Sequence, residues 1–210
     1  MSTNATQDTT TQDTTTQETT ARETTAQSTT TRETTAQSTW RIDADHTQVW
    51  FSVRHMMFAT VKGQFPAVSG ELKLDEKDPA QSVIDVQLDA SKVDTHNEQR
   101  DTHLRSGDFF DVENHPELTF VSTRVDALGG SKYRITGDLT IRGNTREVVL
   151  DAEETGRGKD PWGQEKIGFT ASTSINRKDY GLTWNQALEA GGVLVSDEVK
   201  ISIDGQAIRA

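Results

Sequence analysis

The sequence predicts an all-β fold of about eight antiparallel strands, an up-and-down barrel or a sandwich, with one short helical insert and preceded by a disordered N-terminal tail. Three observations carry that prediction. From residue 40 onward apolar and polar residues alternate with period two in one segment after another. Short clusters such as "ALGGSK", "IRGNTRE" and "GRGKDPWGQ" separate those segments. Residues 1–39 hold no aromatic residue and, after Met1, no aliphatic residue larger than alanine. Alternation marks strands buried on one face, and turn signals at this spacing mark hairpins.

The tail is Thr/Gln-rich, and the octet "RETTAQST" occurs at 22–29 and again at 32–39. Burial there cannot offset the entropy of ordering the chain, so 1–39 is read as a disordered repeat tail and 40–210 as one folded domain. Strand candidates follow at 47–55, 59–74, 83–90, 117–127, 133–143, 145–155, 166–175 and 199–205. In "YRITGDLTIRG", Tyr133, Ile135, Gly137, Leu139 and Ile141 share one face, with Arg134, Thr136, Asp138 and Thr140 on the other. Parity places Val49, Phe51, Val53 and His55 inward in the same way, and Phe65, Phe120, Phe169 and Trp184 join them as large inward residues. One segment breaks the alternation, "SKVDTHNEQRDTHLRSGDFFD" at 91–111. Asp94 is expected to cap a short helix, Asp101 and Arg105 to pair at i and i+4, and Gly107 to stop it. Leu104 is its only large aliphatic residue, and Phe109 and Phe110 are placed to seat its end on the sheet.

Bulk properties exclude several classes. With 210 residues, no cysteine and a net charge of -11, the chain suits one domain held by its core rather than by disulfides. Nucleic-acid readers need clustered Lys and Arg, which an acidic chain lacks. No apolar run is long enough to span a membrane and no secretory signal is visible, so no stable membrane insertion and a cytoplasmic location are expected. His96 and His103 stand seven apart, too far along a helix to share an ion, and no metal is expected. The serine-elbow, phosphate-loop and dinucleotide motifs are missing, which disfavours an enzyme.

An eight-stranded barrel is either filled by its side chains or wide enough for one small ligand. Small inward residues, Gly137, Ala171, Thr173, Ala90 and Gly205, favour a cavity, but they also let a barrel taper, so pattern alone leaves both interiors open. The glycine- and charge-rich segment 156–166 is read as a mobile loop.

The segments "WRIDADHTQVWFSVRHMMFATVKGQF" (40–65), "RDTHLRSGDFFDVENHPELTF" (100–120), "GDLTIRGNTREVVL" (137–150), "GFTASTSINRKDYGLTW" (168–184) and "VKISID" (199–204) closely resemble the YceI-like family of lipocalin-like polyisoprenoid-binding proteins. The resemblance implies an extended lipocalin-like barrel around an apolar channel for a long-chain lipid, such as a polyisoprenoid or an isoprenoid quinone, with no other cofactor. Members are often homodimers and often periplasmic. On this reading the channel is lined by Phe51, Val53, His55, Phe65, Leu104 and Phe109, and by Phe120, Leu139, Ile141, Phe169 and Trp184. Arg100, His103 and Arg177 are the head-group candidates. An enzyme acting on a lipophilic substrate, or an interaction module with a filled barrel, are the alternatives.

Overall fold

The structure is a computed structural model that describes residues 37–189 and 191–210. The predicted tail lies outside the described residues except for Gln37–Thr39, which open the first strand. The strands are β1 (Gln37–Ile42), β2 (Gln48–His55), β3 (Ala59–Phe65), β4 (Val68–Asp75), β5 (Val83–Asp89), β6 (Glu117–Gly129), β7 (Lys132–Ile141), β8 (Asn144–Lys159), β9 (Glu165–Asn176) and β10 (Val195–Arg209). One α-helix, α1 (Glu98–Arg105), lies between β5 and β6.

These ten segments make eight strands. β1 and β2 follow one another along the same edge of β10, with Ile42 opposite Ala207 and Gln48 opposite Asp204. β3 and β4 run back beside them, β3 on β2 and β4 on β1. The single strand expected over 59–74 is therefore broken, and the break falls at Pro66, which has no N–H to give to a ladder. From β4 the pairing continues through β5, β6, β7, β8, β9 and β10, and β10 returns to β1. The ring is antiparallel and closes through the pairing of β10 with β1, while β3 pairs along its length only with β2. Beyond Pro66 the ring is carried by two backbone hydrogen bonds between Gln64 and Asp94, of 2.8 and 3.0 Å.

The alternation is visible in burial. Val148 and Leu150 are buried on β8 while Val149 between them is exposed, and Leu118 and Phe120 are buried on β6 while Val121 is exposed. The helix differs in detail from the expectation. Its N-cap is Asn97, whose side chain accepts from the Arg100 N–H, and not Asp94. Asp94 instead accepts from the His96 N–H and from Gln64 Nε2. Asp101 does not pair with Arg105 but is buried against Thr95, and Arg105 reaches Glu98. Ser106 rather than Gly107 is the C-cap. Phe109 and Phe110 are buried as expected, in a cluster with Phe65, Ala90, Val93, Leu118, Ile141, Tyr180 and Leu182.

The segment 156–166 is another correction. Most of it is paired strand, because β8 runs to Lys159 and β9 begins at Glu165. Only 160–164 turn, and the Asp160 carboxylate accepts from the N–H groups of Trp162 and Gln164.

Candidate functional site: a lengthwise apolar tunnel

A cavity of about 1210 Å³ runs inside the barrel. Small-molecule pockets usually occupy about 300–1,000 Å³, so this one suits a long ligand. The walls come from the inward parity of the strands, among them Val49, Phe51 and Val53 from β2, Ile135, Leu139 and Ile141 from β7, Phe169, Ala171 and Ile175 from β9, and Val199, Ile201 and Ile203 from β10. Leu104, Phe109 and Trp184 close over it beside α1. Every residue assigned to the channel from sequence borders this one cavity, and so do the three head-group candidates.

Polar groups gather at the two ends. At the helix end the cavity meets His55, Thr95, Asn97, Gln99, Arg100 and His103. His55 has no hydrogen-bond partner for its ring among the described residues, so its imidazole is free to meet a ligand. Arg100 is positioned through Thr95. Its Nε donates to Thr95 Oγ1 (2.6 Å) and its Nη2 to the Thr95 carbonyl (2.8 Å). Thr95 in turn donates its N–H (2.9 Å) and hydroxyl (2.5 Å) to Asp101. The left-handed backbone at His96, φ 58°, turns the chain sharply enough to bring Thr95 against the helix that follows. Among the described residues Arg100 has no direct carboxylate partner, and it remains the cation available to an anionic or carbonyl head group.

The other two candidates are more committed. His103 Nε2 stands 2.8 Å from Asp108, and its ring packs edge-on against Phe109 and Trp184 with centroids 5.0 and 4.8 Å away. Arg177 is buried and donates to the carbonyls of Ser196, Leu182 and Trp184, with Asp197 3.5 Å away. Burial lowers its pKa from the usual arginine value, and Asp197 partly restores it. Arg177 therefore holds 182–184 and 196 together rather than presenting a free fork. Beside it Tyr180 is, among the described residues, the most buried large side chain, and its hydroxyl has no hydrogen-bond partner among them. Burial, with the charge of Asp179, pushes its pKa up to about 12, so the phenol stays neutral.

At the far end Arg157 forms a bar. It grips Glu154 with two bonds (2.7 and 3.1 Å) and Glu76 with a third (2.6 Å), and its guanidinium lies 5.7 Å from the Trp40 ring. Glu76 follows β4, and β4 and β8 are four strands apart in either direction around the ring. The pair thus spans the barrel from opposite walls, and all three side chains border the cavity. Sequence reasoning missed this bar. A strand-end arginine among many carboxylates carries no signal until the ring closes. Among the described residues no group of three or more His, Asp or Glu side chains is arranged to hold a metal ion, and no described helix is long and apolar enough to cross a membrane.

A closed, elongated antiparallel barrel built around an apolar tunnel is a lipocalin-like cavity protein. Within that class the chain belongs to the YceI-like domain family, whose sequence profile matches residues 40–207. A UPF0312 protein of Staphylococcus epidermidis is 38% identical over 165 residues, which cover 78% of this chain and 94% of that one. The crystal structure of a Campylobacter jejuni YCEI protein, 32% identical, superimposes with a TM-score of 0.64 over 75% of this chain and 90% of that one. A polyisoprenoid binding domain from Saccharophagus degradans shares the fold with a TM-score of 0.59 at 14% identity, over 81% of this chain and 98% of that one.

Proposed function

We propose that the protein binds and carries a long-chain isoprenoid lipid, of the polyprenyl or isoprenoid quinone type, stretched along the tunnel. The observation that carries this reading is the apolar cavity of about 1210 Å³, lined from Arg100 at one end to Arg157 at the other. An isoprene unit has five carbons, and at about 0.8 kcal/mol per buried CH2-like group each unit gains roughly 3–4 kcal/mol on leaving water. A few units offset the ordering of a flexible chain, so affinity needs little polar chemistry. The polar end then orients the ligand. His55 and Arg100 offer donors to a quinone carbonyl or a phosphate, while the branched tail points toward Trp40 and Arg157. Membership in the YceI-like family and the polyisoprenoid binding domain with the same fold support the same ligand class.

Solvent extraction of the purified full-length protein followed by mass spectrometry tests the proposal. An isoprenoid is expected in near-constant proportion to protein, and Phe169→Asp, which sets a charge inside the tunnel, is expected to remove it while the barrel stays folded by circular dichroism. Repeated preparations without lipid, or a folded Phe169→Asp variant that retains it, would overturn the reading.

A further inference from the structure

The hairpin that joins β2 to β3 ends in His55-Met56-Met57-Phe58-Ala59. Met57 is 61% exposed and Phe58 73% exposed. Met56 and Met57 both lie in the left-handed region, with φ 50° and 66°, a conformation that turns normally assign to glycine or asparagine. The chain thus accepts strain to hold two large apolar side chains in water. The turn is braced to do so: Arg54 donates to the Met57 carbonyl (3.0 Å) and to Thr60 Oγ1 (2.9 Å), and the Met56 N–H donates to the Leu194 carbonyl (2.8 Å). Val193, beside that contact, is also exposed.

Charge sorts this tip from the rest of the molecule. In a chain of net charge -11, residues 46–70 contain no Asp or Glu, whereas Arg54 and Lys62 stand on the outward face of the hairpin. Neither has a carboxylate partner among the described residues. On the adjoining strand Asp197 is bound by Arg177 and Lys178, so the acids near the hairpin without a Lys or Arg partner among the described residues include Glu198 and Asp94, the latter held by Gln64 of β3. The opposite end of the barrel also exposes a ring, Trp162 at 85%, but its surroundings are acidic and their cations are spent: Lys159 on Glu165, Lys166 on Asp43 and Asp160, Arg157 on Glu76 and Glu154.

We propose that the Met57–Phe58 tip, backed by Arg54 and Lys62, docks the barrel on the surface of an anionic phospholipid bilayer, next to the end of the tunnel that His55 borders. Apolar side chains at the tip enter the headgroup layer, while the two cations behind them meet lipid phosphates. The inference takes from the preceding section the reading of the tunnel as a lipid site, and it assigns the end at which lipid enters and leaves.

Sedimentation of the full-length protein with phosphatidylcholine vesicles, with and without phosphatidylserine, tests it. The native protein is expected to pellet with the anionic vesicles, less so at high salt. Met57→Ser/Phe58→Ser should weaken this at least about tenfold and Lys62→Glu about fivefold, while Trp162→Ser leaves it unchanged. Tunnel occupancy, read by extraction and mass spectrometry, should be equal in the native and double-variant proteins, while transfer of a fluorescent prenyl probe from vesicles slows in the double variant. Equal pelleting of the double variant, loss on Trp162→Ser, or a change of oligomeric state in the double variant by light scattering would each overturn the proposal. A protein that never contains lipid yet pellets through Met57 and Phe58 would keep the docking surface and remove the tunnel reading.

Discussion

At the scale of single residues, the inward glycines have a different task from the one their size suggests. Gly137 and Gly205 are legible as inward from parity, yet they do not simply leave space. A Cβ on Gly137 would stand 2.5 Å from Phe120 Cζ, and one on Gly205 would stand 2.7 Å from both Thr47 side-chain termini and 3.1 Å from Phe169 Cζ. Each glycine lets a neighbouring ring lie flat on the wall, and the flat rings keep the bore open. Gly63 does the same for Phe51 and is also crowded by Thr95 Cγ2, 2.7 Å from a built Cβ. Sequence could not assign that role, because Thr95 is brought to Gly63 by the long-range bridge between their neighbours Asp94 and Gln64. Gly63→Ala is therefore expected to push the Phe51 ring into the tunnel and disturb the support of Arg100. Loss of about 1–3 kcal/mol in urea unfolding, together with reduced lipid occupancy, is the expected outcome. An unchanged unfolding midpoint would show that the ring is not seated there.

At the scale of elements, the strands were legible and the joints were not, for physical reasons. A strand declares itself by period two over its own length, so the inward faces of β7 and β9 could be read locally. The helix cap is a choice between Asp94 and Asn97, two cap-forming types three residues apart, and it is settled by contacts from β3: Gln64 engages both the backbone and the carboxylate of Asp94. Pairing across the ring is less legible still, as the Arg157 bar shows. Because Arg157 is about one-third exposed, its ion pairs contribute little to stability, at most about 1 kcal/mol. Their consequence is steric. Arg157→Ala is expected to leave the melting temperature nearly unchanged while opening the far end of the tunnel, so that lipids with more isoprene units appear in the extract. A chain-length distribution identical to that of the native protein would mean that Trp40 and its neighbours, not the bar, terminate the bore.

At the scale of the whole molecule, a hollow barrel lacks the one central core that usually stabilises a domain of this size. Among the described residues most buried apolar side chains gather in three clusters: one at the helix end around Phe109 and Tyr180, one at the far end around Trp40 and Ile167, and one on the wall at Phe120, Val148 and Leu150. Between them the walls face the cavity. A bound chain then supplies contacts that a filled barrel would make with its own side chains, so binding and folding share the same apolar surface. A ligand that binds only the folded state stabilises it by about 2.7 kcal/mol at one hundred times its Kd. For a domain of this length each kcal/mol moves the melting temperature by roughly 2–4 °C. Protein stripped of lipid by unfolding on a hydrophobic resin and refolding should therefore melt about 5–10 °C below the loaded form, and recover when a polyprenyl compound is added back. The shift should be retained by Met57→Ser/Phe58→Ser, which leaves the tunnel intact, and lost by Phe169→Asp, which blocks it. Equal melting of stripped and loaded native protein would separate ligand binding from the folding balance and place the stability in the strand ladders and end clusters alone.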